Sequence, residues 1–415
     1  MYLIRHYVFT LIVLRRTKNT SSFDSILCLN RGYSPFVTVL IPERNEEKVI
    51  GRLLQRMTEL TYPKERMQVI VINDASSDNT AAIAEEYSNR CKFIEVLNRD
   101  KAIGGKGKSA AMNSGFQRSK GEIIFCFDAD YFPQKDILEK LVREFADPQV
   151  GAVQGRVVVL NEPENIVTRL VALERIGGYR VDQEARDQLG LITQFGGTVG
   201  GFRRDLLEIL GGWDESSLAE DTDLTFRVYL AGYRVSYVCE AECYEEAVNN
   251  WKAYWTQRSR WALGHMDCCY RHSLKILCSK NLRIIERLDG LLLLNVYFMP
   301  LIALLAFIVG AILLFSQAPW ESPWWLGILW FSVPTSFYNF VGNFAPFFEV
   351  GIGAYLDGRT RAQWLVPLLV FTFLFNIPIC FVAFMKLLAS KILRKNHNSW
   401  VKTHHNGNGN FYIEN

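Results

Sequence analysis

The period of hydrophobic and polar positions changes three times along the chain. Up to about residue 127, short apolar runs alternate with amphipathic stretches. Phe36–Ile41, Met67–Ile72, Lys92–Leu97 and Ile123–Phe127 are bounded runs rich in Val and Ile, as buried strands are. Between them, Glu46–Glu59 places Val49, Leu53, Leu54 and Met57 on one helical face, and residues 81–89 and 110–118 keep helical spacing. Ser77-Asp78-Asn79-Thr80 is expected to cap the helix at 81–89. The order strand–helix–strand–helix–strand–helix–strand predicts a mostly parallel sheet with helices on both faces, and the alternation reads on to residue 240.

From Trp251 to Asp289 the chain turns basic and aromatic. Trp251, Tyr254, Trp255, Arg258, Arg260, Trp261 and Tyr270 interleave as on a helix lying at a membrane surface, and residues 166–179 repeat the look more weakly. Three stretches without charge follow, 290–315, 322–348 and 362–385. Each is long enough to cross a hydrocarbon core of roughly 30 Å. Near the start, residues 6–14 are apolar but short, flanked by Arg5, Arg15 and Arg16, with no small-residue cleavage site after them. They read as the end of a membrane helix. The expected organisation is therefore an N-terminal segment (1–35), a cytosolic α/β catalytic domain (36–250), interfacial helices (251–289), a transmembrane region (290–390), and a basic then polar, disordered tail (391–415).

Composition and charge narrow this picture. Hydrophobic residues make up 49% of the 415, high for a purely soluble protein. Basic flanks at Arg283, Arg287, Lys386, Lys391, Arg394 and Lys395 favour the cytoplasmic side at both ends of the apolar region. Three full crossings would put those ends on opposite sides, so one run is expected to be re-entrant or interfacial. The localisation that follows is a multi-pass protein of a bacterial plasma membrane with a cytoplasmic catalytic domain. Nine cysteines without a CxxC pair read as free thiols in a reducing compartment rather than a zinc site. Arginine interleaved with aromatics can bind nucleic acid, but apolar spans follow directly, so membrane lipids are the expected partner and nucleic acid is not. The lack of any charge within the apolar runs, where a polar relay would be expected, argues against a transporter.

Candidate chemistry sits at strand ends. Asp128-Ala129-Asp130 closes the Ile123–Phe127 run. Two carboxylates there need a countercharge, and a divalent cation carrying a diphosphate would supply it. Asp74 ends the Met67–Ile72 run, where a carboxylate can accept from a nucleobase N–H. Ligands of such sheets bind beyond the carboxyl ends of strands. Gly104-Gly105-Lys106-Gly107-Lys108-Ser109 precedes a helix and suits a phosphate, though it lacks Walker A spacing. Of Glu220 and Asp221, one can deprotonate an incoming hydroxyl, while Asp221 or Thr222 can also cap the helix 224–231. Gln257-Arg258-Ser259-Arg260-Trp261 offers arginine for a diphosphate and a flat indole for a sugar.

The set Asp74, Asp128-x-Asp130, Glu220-Asp221 and Gln257-x-x-Arg260-Trp261 resembles the membrane-integrated family 2 glycosyltransferases, which include cellulose, hyaluronan, chitin and poly-N-acetylglucosamine synthases. The resemblance covers residues 36–270, and Trp400-Val401-Lys402-Thr403-His404 resembles an ending of bacterial members. It implies a GT-A type nucleotide-diphosphosugar domain, followed by interfacial and C-terminal transmembrane helices. It implies Asp74 and Glu46 at the nucleotide with Asp128, Asp130 with Asp128 at Mg²⁺ or Mn²⁺, and Lys106 or Lys108 at phosphate. Asp221 would be the general base with Glu220 beside it. Gln257, Arg260 and Trp261 would line the diphosphate and acceptor entrance, and Phe195-Gly196-Gly197-Thr198 would bring Thr198 to the acceptor side. The implied reaction is inverting transfer from a UDP-sugar to a growing β-linked polysaccharide, with single transfer to a membrane lipid as the alternative. The implied partners are the UDP-sugar, a glycan or lipid acceptor, and a homo-oligomer or accessory subunit. Two departures stand out. Arg44 occupies a place where the family often has tyrosine, and the N-terminal membrane helices are missing or shortened.

Overall fold

The computed structural model describes residues 2–17, 33–100, 102, 104–315 and 344–393. Eight strands form one sheet: β1 (Val37–Glu43), β2 (Met67–Asn73), β3 (Ile94–Asn98), β4 (Ile123–Cys126), β5 (Phe132–Pro133), β6 (Val150–Val159), β7 (Gly200–Arg203) and β8 (Arg234–Glu245). Their order is β3-β2-β1-β4-β7-β6-β8-β5. The first four are mutually parallel. β7 runs antiparallel between β4 and β6, β8 is parallel to β6, and β5 is antiparallel at the edge. The expected α/β class with a mostly parallel sheet holds.

Strand alternation builds two cores. Val37, Val39 and Ile41 of β1 enter one with Val49, Leu53, Leu54 and Met57. Leu40 enters the other with Met112 of the Lys108–Arg118 helix, Phe202 and Leu206. Because successive side chains point to opposite faces, a slip of one residue would exchange the two sets. This register sets the carboxyl ends of β1, β2 and β4 side by side. There Asp74 N donates to the Glu43 carbonyl at 2.8 Å.

Three local expectations need correction. The helix read from Glu46 starts at Ile50, because Asn45 adopts φ 56° and turns the chain first. The Ser77–Thr80 segment gives no side-chain cap from Asn79, the residue before the Thr80–Arg90 helix; instead Asp78 accepts from Thr80 N at 3.1 Å. Residues 166–179 are mostly covered by protein, with Ile166, Arg169 and Gly178 left exposed. The Ile166–Arg175 helix buries Leu170 and Leu173 against Val350, Ala354, Val366 and Leu369. It runs on into a π-helical segment, Ile176–Gln183, and a last turn, Glu184–Gln188.

The Trp251–Cys278 helix bridges the sheet domain and the C-terminal helices. Trp251 and Trp255 pack edge-on against Phe375, with centroids 5.1 and 5.4 Å apart. Further along, Ala262 and Met266 meet Cys380, Ala383 and Leu387. Ion pairs add to this seam. Asp357 takes both Arg156 and Arg180, and Arg359 pairs with Glu162. The Tyr2–Thr17 helix lays Phe9 and Val13 on Val181, Ala185 and Leu191.

Among the described residues one helix, Thr360–Leu393, is long and apolar enough to cross a membrane; Ile284–Leu294 and Val296–Ala306 qualify together but meet at 47°. Phe371, Leu374, Phe381 and Leu305 are exposed on these elements, an apolar surface of the kind that meets a membrane or a partner. Three crossings are thus not seen among the described residues. Most of the 322–348 run and the 394–415 tail, with Trp400 to His404, lie outside the described residues. The described cysteines are free.

Candidate active site

A cavity of about 480 Å³ opens at the carboxyl ends of β1, β2 and β4. Every residue singled out in the sequence for a site role lines it. Their partners separate them into groups with different tasks.

At one end Asp74, only 5% exposed, is paired with the Arg99 guanidinium. The sequence does not announce Arg99. It reaches Asp74 because β2 and β3 pair Asn73 with Asn98, so the next residue on each strand meets at the sheet end. Glu46, whose backbone N donates to Thr80 Oγ1 at 2.8 Å, and Arg44 line the same end. Glu43 lies beneath them with both carboxyl oxygens buried and unpartnered. Burial, with Glu46 and Asp78 nearby, holds its carboxyl well above the ordinary carboxylate range.

At the centre Asp128 meets Lys108 Nζ at 2.5 Å, and the same ammonium donates to the Gly197 carbonyl at 2.9 Å. The countercharge expected of a cation at Asp128 is thus partly supplied by the protein. Burial works against the Lys108 ammonium, yet Asp128 and Glu220 outweigh it and raise its pKa. Thr198 Oγ1 accepts from Asp128 N at 3.0 Å. Arg52 donates to the Asp130 backbone carbonyl at 2.9 Å. Among the described residues, no three His, Cys, Asp or Glu side chains gather closely enough to hold a metal ion. A Mg²⁺-type ion at a nucleotide needs fewer, one or two carboxylates with substrate phosphates completing the shell. Asp128 and Asp130 fit that mode.

The acid pair begins the Glu220–Leu230 helix. The capping role open to Asp221 or Thr222 is not taken: Ala219 precedes the helix, and Asp221 Oδ1 accepts from Thr222 N at 2.7 Å. Gly197, at φ 84°, lies against this carboxylate, and a Cβ there would come 3.3 Å from Asp221 Oδ2. Val199 follows at φ 58°, a strained conformation for a β-branched residue. Its N–H bonds to the Cys126 carbonyl and its carbonyl accepts from Gly155 N, which hold it there. Burial and the Asp221 charge push the Glu220 carboxyl up to about 7 against the pull of Lys108.

The far wall is the Trp251–Cys278 helix. Gln257, Trp261 and His265 recur every four residues on its cavity side. Arg258 is committed elsewhere, to Glu174 and to the rings of Tyr254 and Trp261. Arg175, gripped by Glu245 at 2.5 and 3.1 Å, lies 5.1 Å from the Trp261 ring centroid. The indole expected to face a sugar is therefore already in contact with two guanidinium groups. The π segment brings Tyr179 and Gln183 to the cavity, where Gln183 and Gln194 exchange side-chain-to-backbone bonds. Neither Tyr179 nor Gln183 carries a period that sequence could reveal. π turns cluster at functional sites.

Arg44, Lys106 and Arg260 line the cavity without an ion-pair partner among the described residues, whereas Lys108, Arg175 and Arg258 are neutralised. The arrangement can hold a polyanion and present a carboxylate pair to a hydroxyl beside it.

A family model described as "Glycosyltransferase like family 2" matches residues 34–264, more than half of the chain. A probable glycosyltransferase, YdaM of Bacillus subtilis, is 40% identical over 252 residues, 60% of each chain. A beta-monoglucosyldiacylglycerol synthase of Synechocystis is 35% identical over 231 residues, 55% of this chain and 48% of the relative. The counterpart in Trichormus variabilis is 36% identical over 237 residues, 56% and 50%. The chain thus spans about half the length of the curated relatives it matches. A mannosyltransferase from Pyrobaculum calidifontis, solved with GDP-Man and Mn²⁺, superposes with a TM-score of 0.54 at 22% identity. The match covers 88% of this chain and 96% of that one, and shows a shared fold.

Proposed function

The chain belongs to glycosyltransferase-like family 2, and we propose that it moves one sugar from a UDP-sugar to a hydroxyl of a membrane lipid, with inversion. The observation that carries this reading is the trio Arg44, Lys106 and Arg260, cations that line a nucleotide-sized cavity and form no ion pair among the described residues. The sequence alone puts a polysaccharide product first and a glycolipid second. Relatives named for glucosyldiacylglycerol synthesis support the reverse order. Exposed apolar residues on the C-terminal helices support an acceptor drawn from a bilayer.

In this mechanism Asp74, oriented by Arg99, accepts from the uracil N–H. Lys106 and Arg260 bind the diphosphate, and Asp128 and Asp130 would hold Mg²⁺ or Mn²⁺, whose charge helps the diphosphate leave. Lys108 braces Asp128 against the Gly197 backbone. Asp221 takes the proton of the acceptor hydroxyl as its oxygen attacks the anomeric carbon from the side opposite the leaving group. Glu220 lies next to it, its carboxyl pushed up to about 7 by burial and by the Asp221 charge.

Asp221→Asn tests the assignment. Removal of a general base costs about 10²–10⁴ in rate. The variant is expected to bind UDP as the wild type does and to transfer at that reduced rate. Near-normal turnover would refute the role of Asp221. Incubating the wild type with a panel of UDP-sugars, diacylglycerol and Mg²⁺ or Mn²⁺ reads the product. A single organic-soluble glycolipid supports the proposal and a polymer ladder overturns it.

A further inference from the structure

His265 has no task in that mechanism, yet it lines the cavity one helical turn beyond Trp261. Its place is held firmly. Gly264 beside it packs so close to the preceding turn that a Cβ would come 2.8 Å from Ala219 Cβ and 3.0 Å from Ala219 N. The imidazole rests on Tyr297, also a cavity residue, with ring centroids 4.9 Å apart. Its Nε2 lies 3.1 Å from Thr222 Oγ1, and Thr222 follows Asp221 in the chain.

The hydrogen-bond inventory decides which ring nitrogen carries the proton. Thr222 is buried, and its hydroxyl oxygen accepts from Gln194 Nε2 at 2.8 Å. A hydroxyl also has one proton to give, and a buried one needs somewhere to give it. The acceptor the structure provides is His265 Nε2. With Nε2 accepting, the ring hydrogen sits on Nδ1. That atom is buried and has no partner among the described residues. A donor left so is costly unless a ligand completes it.

We infer that His265, through Nδ1–H, holds a second oxygen of the acceptor headgroup while the reacting hydroxyl lies at Asp221. The inference rests on the glycosyl-transfer reading and sharpens its acceptor class. The acceptor carries a hydroxyl and a neighbouring oxygen, as a diol or an acylglycerol does, rather than a lone alcohol. Burial keeps the imidazole pKa below its usual value despite the opposing pull of Asp221, so the ring is neutral and keeps a single N–H.

Side-chain amides can separate the two nitrogens. The nitrogen of Asn falls near the place of Nδ1, and that of Gln near the place of Nε2. Full-length wild type, His265→Ala, His265→Gln and His265→Asn in lipid vesicles are compared for UDP affinity and for acceptor KM. Diacylglycerol and a long-chain alkanol serve as acceptors. His265→Ala and His265→Gln are expected to raise the diacylglycerol KM about tenfold, the loss of one hydrogen bond, with UDP affinity unchanged. His265→Asn should recover most of that loss, and the alkanol should not distinguish the four proteins. An unchanged diacylglycerol KM in His265→Ala overturns the inference and leaves the glycosyltransferase reading standing. So does a parallel loss of UDP affinity, or equal loss in the Asn and Gln variants. Absence of transfer to any lipid by the wild type overturns the proposed function and this inference with it.

Discussion

Single residues at this site are held in states that water would not give them. Asp74 is a buried charge neutralised by Arg99, itself 6% exposed. Removing one member of such a pair strands the other, at about 3–5 kcal/mol. Arg99→Met is therefore expected to lower stability to denaturant by that order and to weaken UDP binding, whereas a surface variant such as Arg90→Met should do neither. Glu220 gives a pH signature. The unfolded carboxyl releases its proton near the ordinary value of 4.5 and the folded one near 7. Between those values the folded state holds the extra proton. Its contribution to stability is complete below about 4.5 and is lost as pH rises through 7. At one proton and about 1.4 kcal/mol per pH unit, the fall approaches about 3 kcal/mol across the window. Glu220→Gln should flatten it, and urea titrations at pH 5 and pH 7.5 measure the difference.

Elements show why some of this was legible in the sequence and some was not. β1, β2, β4 and the helices between them announce themselves, because each carries a period that burial imposes on one or both faces. Their carboxyl ends then place Asp74, Asp128 and Asp130 together without further information. The acid pair and the Gln257–Trp261 motif were equally readable, since each is contiguous. The second half of the sheet was not. β7 is four residues long, lies between β4 and β6, and pairs with strands distant in sequence. β6 is buried along its whole length although it contains Gln154 and Arg156. Arg99 and His265 depend on register and on helix packing, which no local pattern encodes. One such packing can be tested. Gly264→Ala puts a methyl against Ala219 and forces the Trp251–Cys278 helix away from the Glu220–Leu230 helix. Overpacking of this kind costs about 1–3 kcal/mol. Because Trp261 and Asp221 lie on opposite sides of that contact, transfer should fall more than stability does, read by pairing initial rates with denaturation midpoints.

At the scale of the molecule, the catalytic half and the apolar helices form one joined object. Helix packing at Phe375 and Cys380 and the pairs at Asp357 and Arg359 tie the two together along this seam. In the proposed bilayer setting these clamps turn the enzyme into a depth gauge. A catalytic head on a loose leash would sample hydroxyls at many heights above the hydrocarbon. A clamped one meets only those at the height where its cavity is mounted. Lipid acceptors bearing the same hydroxyl on spacers of increasing length should then show a sharp optimum in rate rather than a plateau. Asp357→Ala, which releases Arg156 and Arg180 together, should broaden it.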